Sequence, residues 1–144
     1  MKNLILIMSL VFTLGSCSQS EENNEIENSI YGTWQLIERK AGNVDGTPND
    51  WESISNGYKI TFNENSSYES EIEPSNCNEV SSSVYNLRNE SEINILEITI
   101  LCVDPNTTFE SKDSYIIEDA TFLILTPIEP ECFEGCAFKY KKIK

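Results

Sequence analysis

The sequence predicts an all-β protein: one small domain of eight antiparallel strands closing into an up-and-down barrel, behind a leader and a flexible tether. Three observations carry this expectation. From Ile30 onward apolar residues recur with a period of two. Turn formers (Gly, Asn, Asp and Pro) interrupt that pattern at short intervals. After Cys17 no amphipathic helical repeat is visible. Eight such strands joined in sequence can close on themselves and remove both exposed edges. A two-sheet sandwich satisfies the same pattern, because periodicity does not report closure.

The first element is the leader, residues 1–16. Lys2 provides a small positive start, and Leu4 to Leu14 form an apolar run of 11 residues. A membrane-spanning helix needs about 20 residues, so this run is too short to be one. It has the length of a signal-peptide core, roughly 7–15 residues, and ends at the small residues Gly15 and Ser16. Leu14-Gly15-Ser16-Cys17 matches the bacterial lipobox, and the segment resembles a type II signal peptide. That resemblance implies cleavage before Cys17 and acylation of its thiol and new amino group. Acyl chains contribute about 0.8 kcal/mol per buried CH₂, enough in multiple copies to anchor a protein without a transmembrane helix.

Residues 17–29, the lipidated cysteine and "SQSEENNEIENS", are polar and acidic with a single isoleucine. Such a stretch cannot bury enough apolar surface to order itself, and reads as a tether. Glu21 and Glu22, soon after the cysteine, resemble the export signal of surface-exposed lipoproteins in Bacteroidota-type bacteria. The expected location is the outer membrane, with the protein held by lipid and facing outward; a periplasm-facing anchor is the alternative.

The strands follow in residues 30–144. "IYGTWQLIERK" sets Ile30, Gly32, Trp34 and Leu36 on one face; "AGNVDGTPNDWESISN" is a loop. "GYKITF" sends Tyr58, Ile60 and Phe62 inward, and "YESEIE" does so with Tyr68, Ser70 and Ile72. "CNEVSSSVYNL", with Ser82 inward, turns at "RNES" into "INILEITILC", whose phase slips near Leu96 as a bulge would make it. "FESKDSYIIE" directs Phe109, Ser111, Asp113 and Tyr115 inward. A tight turn near Asp119 leads to "TFLILTP", read with Phe122 and Ile124 inward, and "AFKYKKI" ends the chain with Phe138 and Tyr140 inward.

Removal of the leader leaves 128 of the 144 residues, enough for one domain with its own core. Only Lys2 among the charged residues goes with it, so the net charge moves from −14 to −15. This surface repels nucleic acid, whose binding needs clustered Lys and Arg, and repels anionic lipid as well. The chain has no histidine, which excludes Ser-His-Asp and Cys-His catalysis and His-ligated zinc. Neither a phosphate loop nor a nucleophile elbow is present. No enzyme, cofactor or metal is therefore expected.

Beyond Cys17 there are four cysteines, Cys77, Cys102, Cys132 and Cys136. In an exported chain an even number points to disulfides, and no CxxC pair suggests zinc. If Asn89 and Glu90 are the central turn residues, Cys77 falls opposite Cys102. Cys132 and Cys136 bracket a loop short enough to close on itself. Of three possible pairings, Cys77–Cys102 with Cys132–Cys136 is therefore expected.

Gly32-Thr33-Trp34 opens the first strand after a tether, and resembles the GxW element of lipocalins. There the tryptophan packs across the closed end of the barrel under a basic residue from a late strand, a part that Lys139, Lys141 or Lys142 would take. Together with "NGYKITFNENSSYES", "LILTP" and "CFEGCAFKYKKI", it makes residues 30–144 similar to the small lipocalin-like lipoproteins of Bacteroidota. Later lipocalin motifs are missing and the chain is short.

The function classes that remain are two. Eight-stranded barrels are either filled by side chains or hold one small ligand. Aromatic walls with a few hydroxyls suit a small hydrophobic ligand, for which Trp51, Tyr58, Tyr68, Asp113 and Tyr115 are the candidate residues. Asp113 is the only carboxylate whose phase points inward; if buried it needs a partner or a raised pKa. Glu69, Glu71 and Glu73 alternate on the opposite face of their strand, as a solvated wall does. The loop Asp45 to Asp50 has the oxygens of a weak Ca²⁺ site but not the spacing of an EF-hand. The second class is a solid barrel that meets an envelope protein or glycan through its surface.

Overall fold

Among the described residues, which are 29–41, 50–75, 77–103, 107–132 and 136–144 of a computed structural model, every regular element is a strand. The strands are β1 (Gly32–Lys40), β2 (Glu52–Ser53), β3 (Lys59–Phe62), β4 (Tyr68–Ser70), β5 (Val80–Glu90), β6 (Ile93–Cys102), β7 (Thr108–Glu118), β8 (Phe122–Glu129) and β9 (Ala137–Lys142). They hydrogen-bond in the order β4-β3-β1-β9-β8-β7-β6-β5, every pair antiparallel. The ends of that order meet: Ser67 bridges Val84, and the Tyr85 N–H donates to the Ser66 carbonyl at 3.0 Å. The result is the expected up-and-down barrel of eight strands, nearly closed, with a thin seam between β4 and β5. The additional β2 is a two-residue strip on β1, within the stretch expected to be loop.

First and last strands are joined firmly. Trp34 pairs with Lys142 and Leu36 with Tyr140, while the Thr33 N–H donates to the Lys144 carbonyl at 2.8 Å. Two hairpins are closed by residue pairs with positive φ, Ser91-Glu92 (52° and 70°) and Asp119-Ala120 (49° and 53°). Positive φ at both central residues matches the right-handed twist of the flanking strands. The turn near Asp119 is where the sequence placed it. The β5–β6 turn lies two residues later than expected, so Asn89 pairs with Asn94 and Glu90 with Ile93.

That shift corrects the cysteine register without undoing the pairing. Val80, not Cys77, stands opposite Cys102, and the residues before β5 bring Cys77 alongside. Cys77–Cys102 is bonded with Cα atoms 5.6 Å apart, and Cys132–Cys136 with Cα atoms 5.7 Å apart. Both lie within the Cα separation a disulfide requires.

The core is the barrel interior, centred on Trp34, Leu36, Ile60, Phe62, Leu96 and Leu123. All of its fully packed members fall between Ile30 and Tyr140, so the barrel carries its own core. Several inward assignments need correction. Ile72 follows the end of β4 and is 55 % exposed. In β8 it is Leu123 and Leu125 that are buried, because the Asp119-Ala120 turn pairs Tyr115 with Leu125 and Ile116 with Ile124. A bulge between Val80 and Ser82 turns Ser82 outward and Ser83 inward. The slip expected near Leu96 is absent, since β6 pairs without interruption along β7. Its apolar character on both sides has another cause. Ile95, on the outer face, is 2 % exposed, and the Lys112–Glu90–Arg88–Glu97 ion network lies across its position in the register.

Candidate functional site

The two ends of the barrel differ, and the difference locates the site. One end is plugged by Trp34, which is 0 % exposed and donates from Nε1 to the Ile30 carbonyl at 2.7 Å. Lys142 Nζ lies 5.0 Å from the centre of the indole and donates to the Ser29 carbonyl at 3.2 Å. Of the three lysines expected to cover the tryptophan, Lys142 takes the part. Lys139 sits outside, over Phe122 at 4.7 Å and paired with Glu118, and Lys141 is exposed. Gly32 is required there: its φ is +122°, and a Cβ would run into the Lys144 carbonyl.

At the other end the interior opens into a cavity of about 480 Å³. Ligand pockets typically occupy roughly 300–1,000 Å³, so this volume suits one small molecule. Its apolar wall includes Ile60, Ile98, Leu125 and Phe138, and its polar groups are Tyr58, Tyr68, Tyr140, Ser111 and Asp113. Both half-cystines of the Cys132–Cys136 bridge stand at its rim with Glu129 and Glu131. Six different strands or their flanks thus contribute side chains to one hollow, which is what closure of a barrel makes possible.

The polar groups are held, not loose. Tyr58 and Tyr140 share a hydrogen bond between hydroxyls at 2.8 Å, their rings edge-to-face with centroids 6.0 Å apart. Gly57 presses its backbone against Leu36, where a Cβ would clash, and so sets where Tyr58 enters the barrel. Burial pushes the Tyr68 hydroxyl up to about 12, against a hydrogen bond from Ser70, and holds Tyr140 well above the usual phenol range. Asp113 is 9 % exposed, between Leu96 and Pro127 in the register. Desolvation raises its carboxyl to about 6, and the Ser111 hydroxyl bonded to it offsets part of the rise. Among the described residues no lysine or arginine lines the cavity.

Of the five residues proposed from the sequence, the structure gathers Tyr58, Tyr68 and Asp113 around this cavity. Trp51 does not line it; its ring lies 5.0 Å under Lys40 Nζ, beside β2. Tyr115 packs against the core. Tyr140, Ser111 and Phe138 share the inward phase with them; that all three meet one cavity could not be foreseen. The Cys132–Cys136 rim was missed because a disulfide's place over a barrel mouth is set by closure. A second hollow of about 310 Å³ follows the β4–β5 seam, where the buried Ser83 hydroxyl has no hydrogen-bond partner. Glu69, Glu71 and Glu73 are exposed, with Glu71 paired to Lys59 at 2.9 Å. Cys17 and Asp45 to Asn49 lie outside the described residues. Among those described, no group of acidic or cysteine side chains is arranged to hold a metal.

No family model matches the chain, and no curated protein or solved structure matches it either.

Proposed function

We propose that this chain is a lipid-anchored envelope protein whose barrel binds a small, largely hydrophobic ligand at its open end. The observation that carries the reading is the cavity of about 480 Å³, walled by apolar and aromatic side chains and furnished with a few fixed polar groups. The plugged end supports it too: Trp34 and Lys142 close that side of the barrel, and the cavity lies toward the other. The anchor rests on the Leu14-Gly15-Ser16-Cys17 pattern and on the polar residues between Cys17 and the barrel. The same opening, Gly32-Thr33-Trp34, keeps the likeness to lipocalin-like lipoproteins in the proposal.

A second reading, a barrel that docks an envelope protein or glycan on its outer wall, has one observation in its favour. Ile93 and Ile116, on neighbouring strands β6 and β7, are 52 % and 59 % exposed.

Two measurements test the main reading. Mass spectrometry of the protein from envelope fractions should show a chain beginning at Cys17 and carrying acyl mass, and Cys17→Ser should abolish it. Residues 18–144, made in an oxidising compartment, should carry non-covalent mass in a native spectrum that is lost on denaturation. An empty barrel that takes up no small hydrophobic probe would remove the binding reading and leave the outer wall.

A further inference from the structure

The cavity has a chemical asymmetry that narrows its ligand. Among the described residues its ionisable groups are carboxyls and phenols: Asp113 on β7, Glu129 at the end of β8 and Glu131 just beyond it, Tyr58 before β3, Tyr68 on β4 and Tyr140 on β9. Tyr115, two residues from Asp113 on β7, faces the core. Among the described residues, none of the basic side chains lines the cavity. Arg39, Lys59, Arg88, Lys112 and Lys139 are paired with glutamates on the outer wall, and Lys142 is at the plugged end. A buried carboxylate facing a hollow without a counter-charge is costly, and proteins normally pair it. Here the space beside it is large enough for a molecule, and four aromatic rings, Tyr58, Tyr68, Phe138 and Tyr140, line that space. Aromatic faces attract cations. The net charge of −14 adds a field that concentrates cations at the mouth.

Resting on the ligand-binding reading, we infer that the ligand is an organic cation: a protonated amine on an apolar or aromatic body. The ammonium group sits against the Asp113 carboxylate among the tyrosine rings, and the body lies along Ile60, Ile98, Leu125 and Phe138. A neutral ligand would leave the carboxylate uncompensated, and an anion would be repelled by it.

Three probes of one shape test this by calorimetry on residues 18–144: tryptamine (cation), tryptophol (neutral) and indole-3-propionate (anion). At pH 8 tryptamine should bind at least about tenfold tighter than tryptophol, with indole-3-propionate weakest. Asp113→Asn should bring the ratio of tryptamine to tryptophol affinity close to one. At pH 5 the wild-type preference should shrink as the Asp113 carboxyl takes up its proton, and Asp113→Asn should lose that pH dependence. Equal binding of tryptamine and tryptophol to the wild type would overturn the cation and leave the pocket standing. A preference that survives Asp113→Asn unchanged would overturn the role of Asp113. Failure of all three probes to bind would overturn this inference together with the binding reading.

Discussion

Asp113→Asn should make the protein more stable at pH 8 relative to the wild type than it does at pH 4. The carboxyl is raised from an ordinary 3.8 to about 6, chiefly by desolvation. Below about pH 4 it is protonated in both the folded and the unfolded chain, and its burial carries no charge. Between pH 4 and 6 the unfolded chain gives up the proton while the folded chain keeps it, so wild-type stability falls as pH rises. Above pH 6 both states are ionised and the deficit is constant. At 1.36 kcal/mol per pH unit the deficit is about 3 kcal/mol, a sizeable part of a small domain's total of 5–15 kcal/mol. Asparagine keeps the shape and a contact to Ser111 but never ionises. Urea unfolding of both proteins, with disulfides intact, followed by tryptophan fluorescence from pH 4 to 8, reads the difference directly. The comparison of the two proteins isolates the Asp113 carboxyl. Curves that stay parallel across this range would refute the placement of a desolvated carboxyl at Asp113.

Further outcomes are expected elsewhere in the barrel. Trp34→Ala should cost about 3–5 kcal/mol in urea unfolding, since it empties the plugged end and frees Lys142 from the ring. Gly32→Ala should cost about 2 kcal/mol in the same assay, because φ of +122° and the Lys144 carbonyl both oppose a side chain. Replacing Cys77 and Cys102 by serine together should cost about 3 kcal/mol, from a loop of 25 residues no longer closed in the unfolded chain. Tyr58→Phe leaves the Tyr140 hydroxyl without its 2.8 Å partner and should cost about 1–2 kcal/mol, with a binding change for any ligand that reaches that pair.

What the sequence determined by itself was set by local chemistry. Alternation fixed the strands where one face is apolar and the other polar, as in β1 and β3, and the Asp119 turn followed from its residues. The disulfide partners followed from count and proximity, and Gly32-Thr33-Trp34 marked the strand that plugs the barrel. Where a strand is apolar on both faces, period two has nothing to distinguish. Phe122 and Ile124 were exchanged for Leu123 and Leu125 for that reason, and Ile95 looked like a slip in phase. A two-residue change in the β5–β6 turn and a bulge after Val80 moved Ser82 and Cys77 from their expected positions; such register is settled by neighbouring strands.

Only the tertiary structure decided which inward residues share a space. Tyr58, Tyr68, Asp113 and Tyr140 are separated by up to 82 residues, and their meeting depends on β1 pairing with β9 and on the seam between β4 and β5. The same closure left Trp51 and Tyr115 out of the cavity and, among the described residues, kept every basic side chain from its lining. Alternation reports which face of a strand looks inward; it carries no information about how far around the barrel, or how deep, two such residues stand.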